Sequence, residues 1–224
     1  MTGYVPKKKG KKKKKQSNYR RKSTWNDSEN VESDPEKDNQ ELDIIPSKVN
    51  QCIPIDELLE RVNDEIIDYE LIGKLVQHLV TTKVTGDNGS ILIFLPGVFE
   101  ISSAQISISN ATKGMNTILL PLHGGLQSKD QQKVFHNAPQ GHTKVILSTN
   151  VAETSITIPD CVVVIDTCKE KQSSYDPSNR MPLLLECFAS KDSLKQRRGR
   201  AGRVREGFYY QLIRPSTYQK LSQQ

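Results

Sequence analysis

Four short apolar runs constrain what this chain can fold into more than any other feature. Ser90-Ile-Leu-Ile-Phe-Leu95 is closed by Pro96-Gly97, and Thr117–Leu122, Lys144–Ser148 and Cys161–Asp166 repeat the pattern. A strand with one wet face alternates polar and apolar residues. A run without that alternation reads as a strand buried on both faces, as in a parallel sheet. Val98–Ser109 and the more polar Lys129–Asn137 lie between the runs and read as helices. Upstream, apolar residues from Ile55 to about Lys83 recur at helical spacing, as one long or two short amphipathic helices with a break near Asp68–Glu70. Strand, helix, strand, helix, strand is the order of an α/β domain. Lys169–Ser190, turning at Tyr175–Asn179, reads as a long hairpin, and Gly207–Ile213 as a last strand.

Open parallel sheets bind ligands at the carboxyl ends of their strands. The chain places its distinctive residues there: Pro96-Gly97, His123-Gly124-Gly125, Ser148-Thr149-Asn150 and Asp166-Thr167. Farther on, Gln196-Arg-Arg-Gly-Arg-Ala-Gly-Arg203 sets four arginines in eight residues. Arginine offers a rigid fork of donors that matches phosphate oxygens and keeps its charge. The small residues between the arginines let a backbone approach closely. The cluster reads either as a polyphosphate site or as an exposed basic turn.

Charge separates the first 50 residues from the rest. Residues 1–22 carry eleven positive charges and no acid, with eight lysines in the nine positions of Lys7–Lys9 and Lys11–Lys15. Residues 27–43 carry eight acids and one lysine, so of the formal net charge of +6 only +2 belongs to everything after Asp43. With Trp25 the one aromatic residue of Thr24–Asp43, and Val31 and Leu42 its only aliphatic ones, burial there does not offset the entropy of ordering. We expect 1–50 to be a disordered tail or linker, Lys-rich and then acidic. The lysine run itself reads as a localisation signal, a non-specific nucleic-acid contact or a solubilising linker.

The four cysteines, Cys52, Cys161, Cys168 and Cys187, show no metal-binding spacing and read as reduced, structural residues of an intracellular protein. No apolar run approaches the ~18 residues of a membrane span, so no membrane partner is expected.

Several of these segments together resemble the DEAH-box RNA helicases. Ser148-Thr-Asn-Val-Ala-Glu-Thr-Ser-Ile-Thr-Ile-Pro159 followed by Val162-Val-Val-Ile-Asp166 is similar to motif V, and Gln196–Arg203 to motif VI. Ile91–Gly97 resembles motif IV, and Pro121–Leu126 the motif after it. Order and spacing agree over Asp68–Tyr218. The resemblance implies an α/β, RecA-like parallel sheet flanked by helices with a protruding β-hairpin. Residues 51–218 would be the second RecA-like lobe and 219–224 a truncated polar end.

It implies roles as well. Gln196, Arg200 and Arg203 would be catalytic, with Gln196 positioning the attacking water and the arginines neutralising the γ-phosphate. Phe135 would stack on adenine, although by periodicity it is equally a core phenylalanine, and Thr157 would contact the nucleotide. Pro159 stands where some members carry an acid toward the ribose. Gly97, His123, Gly124, Ser148, Thr149 and Asn150 would hold RNA phosphates, with His123 otherwise a packed surface histidine. Glu153 and Thr154 would stabilise the turn between the two sets, and Arg197 and Arg198 would pair with the lobe's own acids. The hairpin corresponds to the family's strand-separating wedge.

The cofactor implied is ATP with Mg2+. The chain contains no Gly-x-x-x-x-Gly-Lys-Ser/Thr and no Asp-Glu-x-His, so the phosphate loop and magnesium ligands are expected on a first lobe. The implied partners are RNA, that first lobe and downstream winged-helix domains. Thr2-Gly3-Tyr4 is similar to the segment leaving the first lobe in some subfamilies, which favours the linker reading of the lysine run. On this view the chain is a fragment, inactive as an ATPase when isolated and cytoplasmic rather than nuclear. The alternative is a non-catalytic RNA-binding module derived from a helicase lobe.

Overall fold

Each of the four apolar runs is a strand: β1 (Ser90–Phe94), β2 (Thr117–Leu122), β3 (Thr143–Ser148) and β4 (Cys161–Asp166). The computed structural model describes residues 54–224 apart from 87, 155, 177–180 and 203–205, all within the unit Cys52–Gln224. The expectation for residues 1–50 lies outside the described residues, as do Cys52, Arg203 and the tip of the hairpin.

The hairpin strands are β5 (Lys169–Asp176) and β6 (Met181–Phe188), antiparallel, and the last strand is β7 (Phe208–Gln211). The main sheet is parallel throughout, in the order β2-β3-β1-β4-β7. Its register aligns the strand ends: Leu122 lies opposite Ser148, Ser148 opposite Phe94, Phe94 opposite Asp166, and Asp166 opposite Gln211.

The helical periodicity before β1 resolves into α1 (Ile55–Glu60) and α2 (Tyr69–Thr81). Asp68 ends the break by capping α2, its carboxylate accepting from Leu71 N at 2.9 Å. α3 (Val98–Ala111) follows β1. The helix expected over Lys129–Asn137 is shorter, with α4 (Ser128–Gln132) passing into one 3-10 turn, Lys133–Phe135. Pro139 disfavours helix at the residue before it. In addition, the carbonyls of Val134 and His136 are both taken by the ammonium of Lys144.

α5 (Val151–Thr154) is a single turn after β3, and α6 (Lys191–Arg198) and α7 (Pro215–Lys220) are helices that the polarity of their sequences concealed. α6 has one aliphatic residue, Leu194, and its other buried side chain is Arg197. Ser190 caps it by accepting from Ser193 N at 3.2 Å. Its first turn also donates to the chain end, Lys191 N to Ser222 O at 2.9 Å and Asp192 N to Gln223 O at 3.1 Å.

Strand side chains alternate between two cores, as the pleat requires. Ile91, Ile93, Val145, Leu147, Val163 and Ile165 pack under α2 and α3, which contribute Ile72, Val76, Leu79, Ile101, Ala104 and Ile108. Leu92, Phe94, Ile146 and Val164 face the other way, where Val134, Ala152 and Ile158 cover them, with Ile156, Ala201 and Tyr209 packed against this cluster. One face of the sheet is thus sealed by two helices and the other by turns. Among the described residues no helix is long and apolar enough to cross a membrane. Cys161 and Cys168 are buried and free, and Cys187 is half-buried and free.

Asp64, between α1 and α2, fastens the C-terminal helix. Its carboxylate accepts from Arg214 N at 3.3 Å and Arg214 Nε at 2.9 Å, and from the Thr217 hydroxyl. Burial pushes its pKa up, but the bonds from Thr217 and Arg214 outweigh this and hold it below the ordinary value. A lowered folded pKa gives stability that is complete above the unfolded value of about 3.9 and is lost as pH falls through the folded one. Asp64→Asn should therefore cost about 1–3 kcal/mol at neutral pH. In urea unfolding, the gap between wild type and variant should close as the solution is acidified.

Candidate nucleotide and RNA site

The residues expected to touch RNA collect at the carboxyl rim of the sheet. Gly97 follows β1 and caps α3 without a side-chain bond. A Cβ at this position would lie 2.6 Å from both Glu100 Oε2 and Lys171 Nζ. Glycine lets the Lys171–Glu100 ion pair, 2.9 Å long, close over the backbone and tie β5 to α3. His123 is half-buried after β2, and its Nδ1 accepts from Gly125 N at 3.2 Å, which curls the exposed Gly124-Gly125 turn around the ring. Thr149 N donates to Leu122 O at 3.2 Å, so the end of β3 is bound to the end of β2. Thr149 is half-buried and Asn150 exposed. Ser148 differs from its neighbours: it is fully buried and its hydroxyl donates to Thr149 O at 2.8 Å.

The residues expected to touch the nucleotide border the core under the turns. Phe135 is 44% exposed and next to Val134, which is fully buried in that core. Thr157 is exposed and next to the buried Ile158. Arg200, next to Ala201, donates through Nη1 to Ile156 O at 3.1 Å and through Nη2 to Glu153 O. Gln196 is exposed on α6, and Arg203 lies outside the described residues. The rim set and the turn-face set are joined in sequence by α5 (Val151–Thr154), which follows Asn150 and precedes Thr157.

Arg197 fills the space between them. It is 1% exposed. Its Nε donates to Glu153 Oε2 at 2.9 Å, its Nη1 to Asp166 Oδ1 at 3.2 Å and to Lys169 O at 3.3 Å, and its Nη2 to Glu170 Oε2 at 3.0 Å. The guanidinium also lies 5.3 Å from the Phe94 ring centroid, within reach of a cation–π attraction. The expected pairing of Arg197 with the lobe's own acids is what the structure shows. Arg198 is instead exposed.

Asp166 completes this cluster. Its Oδ1 also accepts from Cys168 N at 2.8 Å and its Oδ2 from the Tyr209 hydroxyl at 3.0 Å. Burial pushes the Asp166 carboxyl above the usual range, against Arg197, the Cys168 amide and Tyr209, which all lower it. Burial works against the charge on Arg197, but the carboxylates of Asp166 and Glu153 outweigh it and raise its pKa. Burial first, then the charge of Asp166, raises the Cys168 thiol and the Tyr209 hydroxyl. Cys168 itself has φ +58°, a left-handed conformation that turns the chain out of β4 and into the hairpin.

Two contributors escaped the sequence reading. Lys144 is the second residue of β3, before the apolar Val145–Leu147, and is 2% exposed, and Asp160, which pairs with it at 2.8 Å, precedes β4. A lysine leading into a buried apolar run was the available signal, since such a charge needs a partner.

The helicase conserved C-terminal domain family matches residues 70–205. A Saccharomyces cerevisiae protein named as an ATP-dependent RNA helicase is 46% identical over 154 residues, covering 68% of this chain and 11% of that protein. A DExH-box ATP-dependent RNA helicase of Arabidopsis thaliana is 39% identical over 166 residues, covering 73% of this chain and 12% of its own. Among solved structures, the E. coli DExH-box NTPase HrpB is similar with a TM-score of 0.64 at 33% identity, covering 73% of this chain and 20% of that one. The chain spans little more than a tenth of the length of these curated relatives.

Removing the cation from among three carboxylates leaves buried charge uncompensated, a loss of about 3–5 kcal/mol. Arg197→Met should show this in urea unfolding at neutral pH. The deficit should shrink as pH falls, because protonation of Asp166, whose pKa already lies above the ordinary value, removes the charge that lacks a partner.

Proposed function

We propose that this chain, which belongs to the DEAH-box RNA helicases and forms their helicase C-terminal lobe, is the half of an ATP-dependent RNA helicase that closes on the nucleotide and grips the RNA backbone. The observation that carries this reading is the double fastening of α5 and the residues after it to α6 and the residues after it. Arg200 holds the carbonyls of Glu153 and Ile156, and Arg197 holds the carboxylate of Glu153. The chain between Asn150 and Thr157 therefore moves with the helix that carries Gln196.

On this reading, ATP bound by a first lobe meets Gln196 and Arg200 when the two lobes close. Gln196 positions the attacking water, and Arg200, with Arg203, neutralises charge on the γ-phosphoryl group as an arginine finger does. Phe135 offers an open aromatic face to adenine, and Thr157 is the further contact to the nucleotide. Stacking of this kind tolerates any base, because every base has a π-face. Among the described residues no group of three or more His, Cys, Asp or Glu side chains is arranged to hold a metal ion, and the magnesium ligands are assigned to the first lobe. When bound, the ion supplies charge neutralisation on the phosphates.

At the rim, Thr149, Asn150, the His123-Gly124 turn and the backbone at Gly97 face the RNA phosphates. Contacts of this kind fix register without reading sequence. Ser148 contributes by orienting the carbonyl of Thr149 from below. Closure of the lobes pulls on α6, α6 carries α5, and α5 carries Asn150, so nucleotide and RNA are coupled through one turn of helix.

In an enzyme joining this lobe to a phosphate-loop lobe, Arg200→Ala should lower RNA-stimulated ATP hydrolysis by about 10³-fold or more. Thermal melting measured alongside separates this from loss of fold. Retained ATPase would sink the finger assignment. The 224-residue chain alone should turn over no ATP. RNA binding that persists while every two-lobed combination stays inactive would instead favour a non-catalytic RNA-binding module.

A further inference from the structure

Lys144 is nearly inaccessible at 2% exposure, yet it is not part of the Arg197 cluster. Its ammonium has three N–H donors, and each has an acceptor: Val134 O at 2.7 Å, His136 O at 2.9 Å and Asp160 Oδ2 at 2.8 Å. The first two carbonyls belong to the residues immediately before and after Phe135. The third partner lies three residues after Thr157. Asp160 is itself fixed to the start of β1, its carbonyl accepting from Ser90 N at 2.8 Å and its Oδ1 from Ser90 Oγ at 3.2 Å.

The geometry leaves the Phe135 turn little freedom. The Val134 side chain is fully buried in the core, and the peptide carbonyls on both sides of Phe135 converge on one nitrogen. The His136 amide donates back to Lys133 O at 3.3 Å. With the turn held at these points, the Phe135 ring projects outward, and its 44% exposure is the consequence.

Burying an ammonium is expensive, and an apolar side chain of similar volume is often as stable or more so in such a place. What an apolar residue does not supply is the three-point hold. We propose that Lys144 is a positioning residue for nucleotide binding. It sets the Phe135 platform at a fixed place relative to Thr157 by clamping the turn and Asp160 to one nitrogen. This rests on the reading of Phe135 as the surface on which the base stacks. Lys144 touches no nucleotide itself; its effect passes through Phe135, so it acts on affinity and not on the chemical step.

Lys144→Met keeps the unbranched stem but for its terminal atom and removes all three donors. In the 224-residue chain its substitution should speed hydrogen exchange of the His136 amide by about tenfold or more, while amides of β1, β3 and β4 stay protected. Unchanged exchange at His136 overturns the proposal. In an enzyme joining this lobe to a phosphate-loop lobe, Lys144→Met should raise the KM for ATP about tenfold, as Phe135→Ala should, with kcat within about twofold.

The double variant should be no worse than Phe135→Ala alone, because both changes remove the same stacking surface. Effects that multiply would mean that Lys144 acts elsewhere, and the proposal falls. If Phe135→Ala leaves KM unmoved, the stacking reading fails, and the His136 exchange still decides whether Lys144 holds the turn. Should Lys144→Met not fold, Asp160→Asn leaves the two carbonyl bonds of the lysine in place while it removes the ion pair and alters the bond to Ser90 Oγ. It should shift His136 exchange in the same direction by a smaller factor, and no shift there counts against the clamp.

Discussion

A single guanidinium meeting three carboxylates holds the functional half of this lobe in register. Glu153 comes from α5, Asp166 from the end of β4 and Glu170 from the first hairpin strand, and Arg197 bonds to all three from α6. Each group alone would be costly to bury, and together they are tolerable only because the planar fork of arginine reaches several acceptors at once. Lysine has one nitrogen and three donors, so it could not span acids contributed by three different elements. The arrangement ties α6 to α5, to the end of β4 and to the first hairpin strand.

The two faces of the sheet divide the work. Under α2 and α3, aliphatic side chains from long helices make a core that needs no polar help. On the opposite face the cover consists of a 3-10 turn, a four-residue helix and loops, which present backbone carbonyls that must be satisfied. Lys144 and Arg200 supply the missing donors. Three residues of the proposed nucleotide set therefore sit next to a side chain packed in or against that core: Phe135 beside Val134, Thr157 beside Ile158, Arg200 beside Ala201.

The parallel sheet was legible because its strands leave continuous apolar runs, and β2 and β4 match theirs residue for residue, although β2 is an edge strand and only half-buried. The hairpin was legible from its turn and from flanks without an apolar face. α6 and α7 were not, and the reason is physical. Periodicity detects helices that bury aliphatic stripes, whereas α6 buries an arginine and α7 is docked by Asp64 from a distant loop. The same blindness hid Lys144, since a polar residue in a core contributes nothing to a hydrophobic pattern. For the candidate site, residue types and order were readable, but the burial of Ser148 and the grip of Arg200 on the α5 carbonyls depend on three-dimensional placement.

The hairpin and α6 form an insertion between β4 and β7, which are neighbours in the sheet although residues 167–207 lie between them. Pairing over so long a loop costs closure entropy before it gains any contact. A chain emerging from the ribosome in order presents Glu153, Asp166 and Glu170 well before Arg197. During that interval the nascent sheet carries three like charges at one corner and lacks its last edge strand. The three carboxylates thus gain their common cation only once α6 has been made.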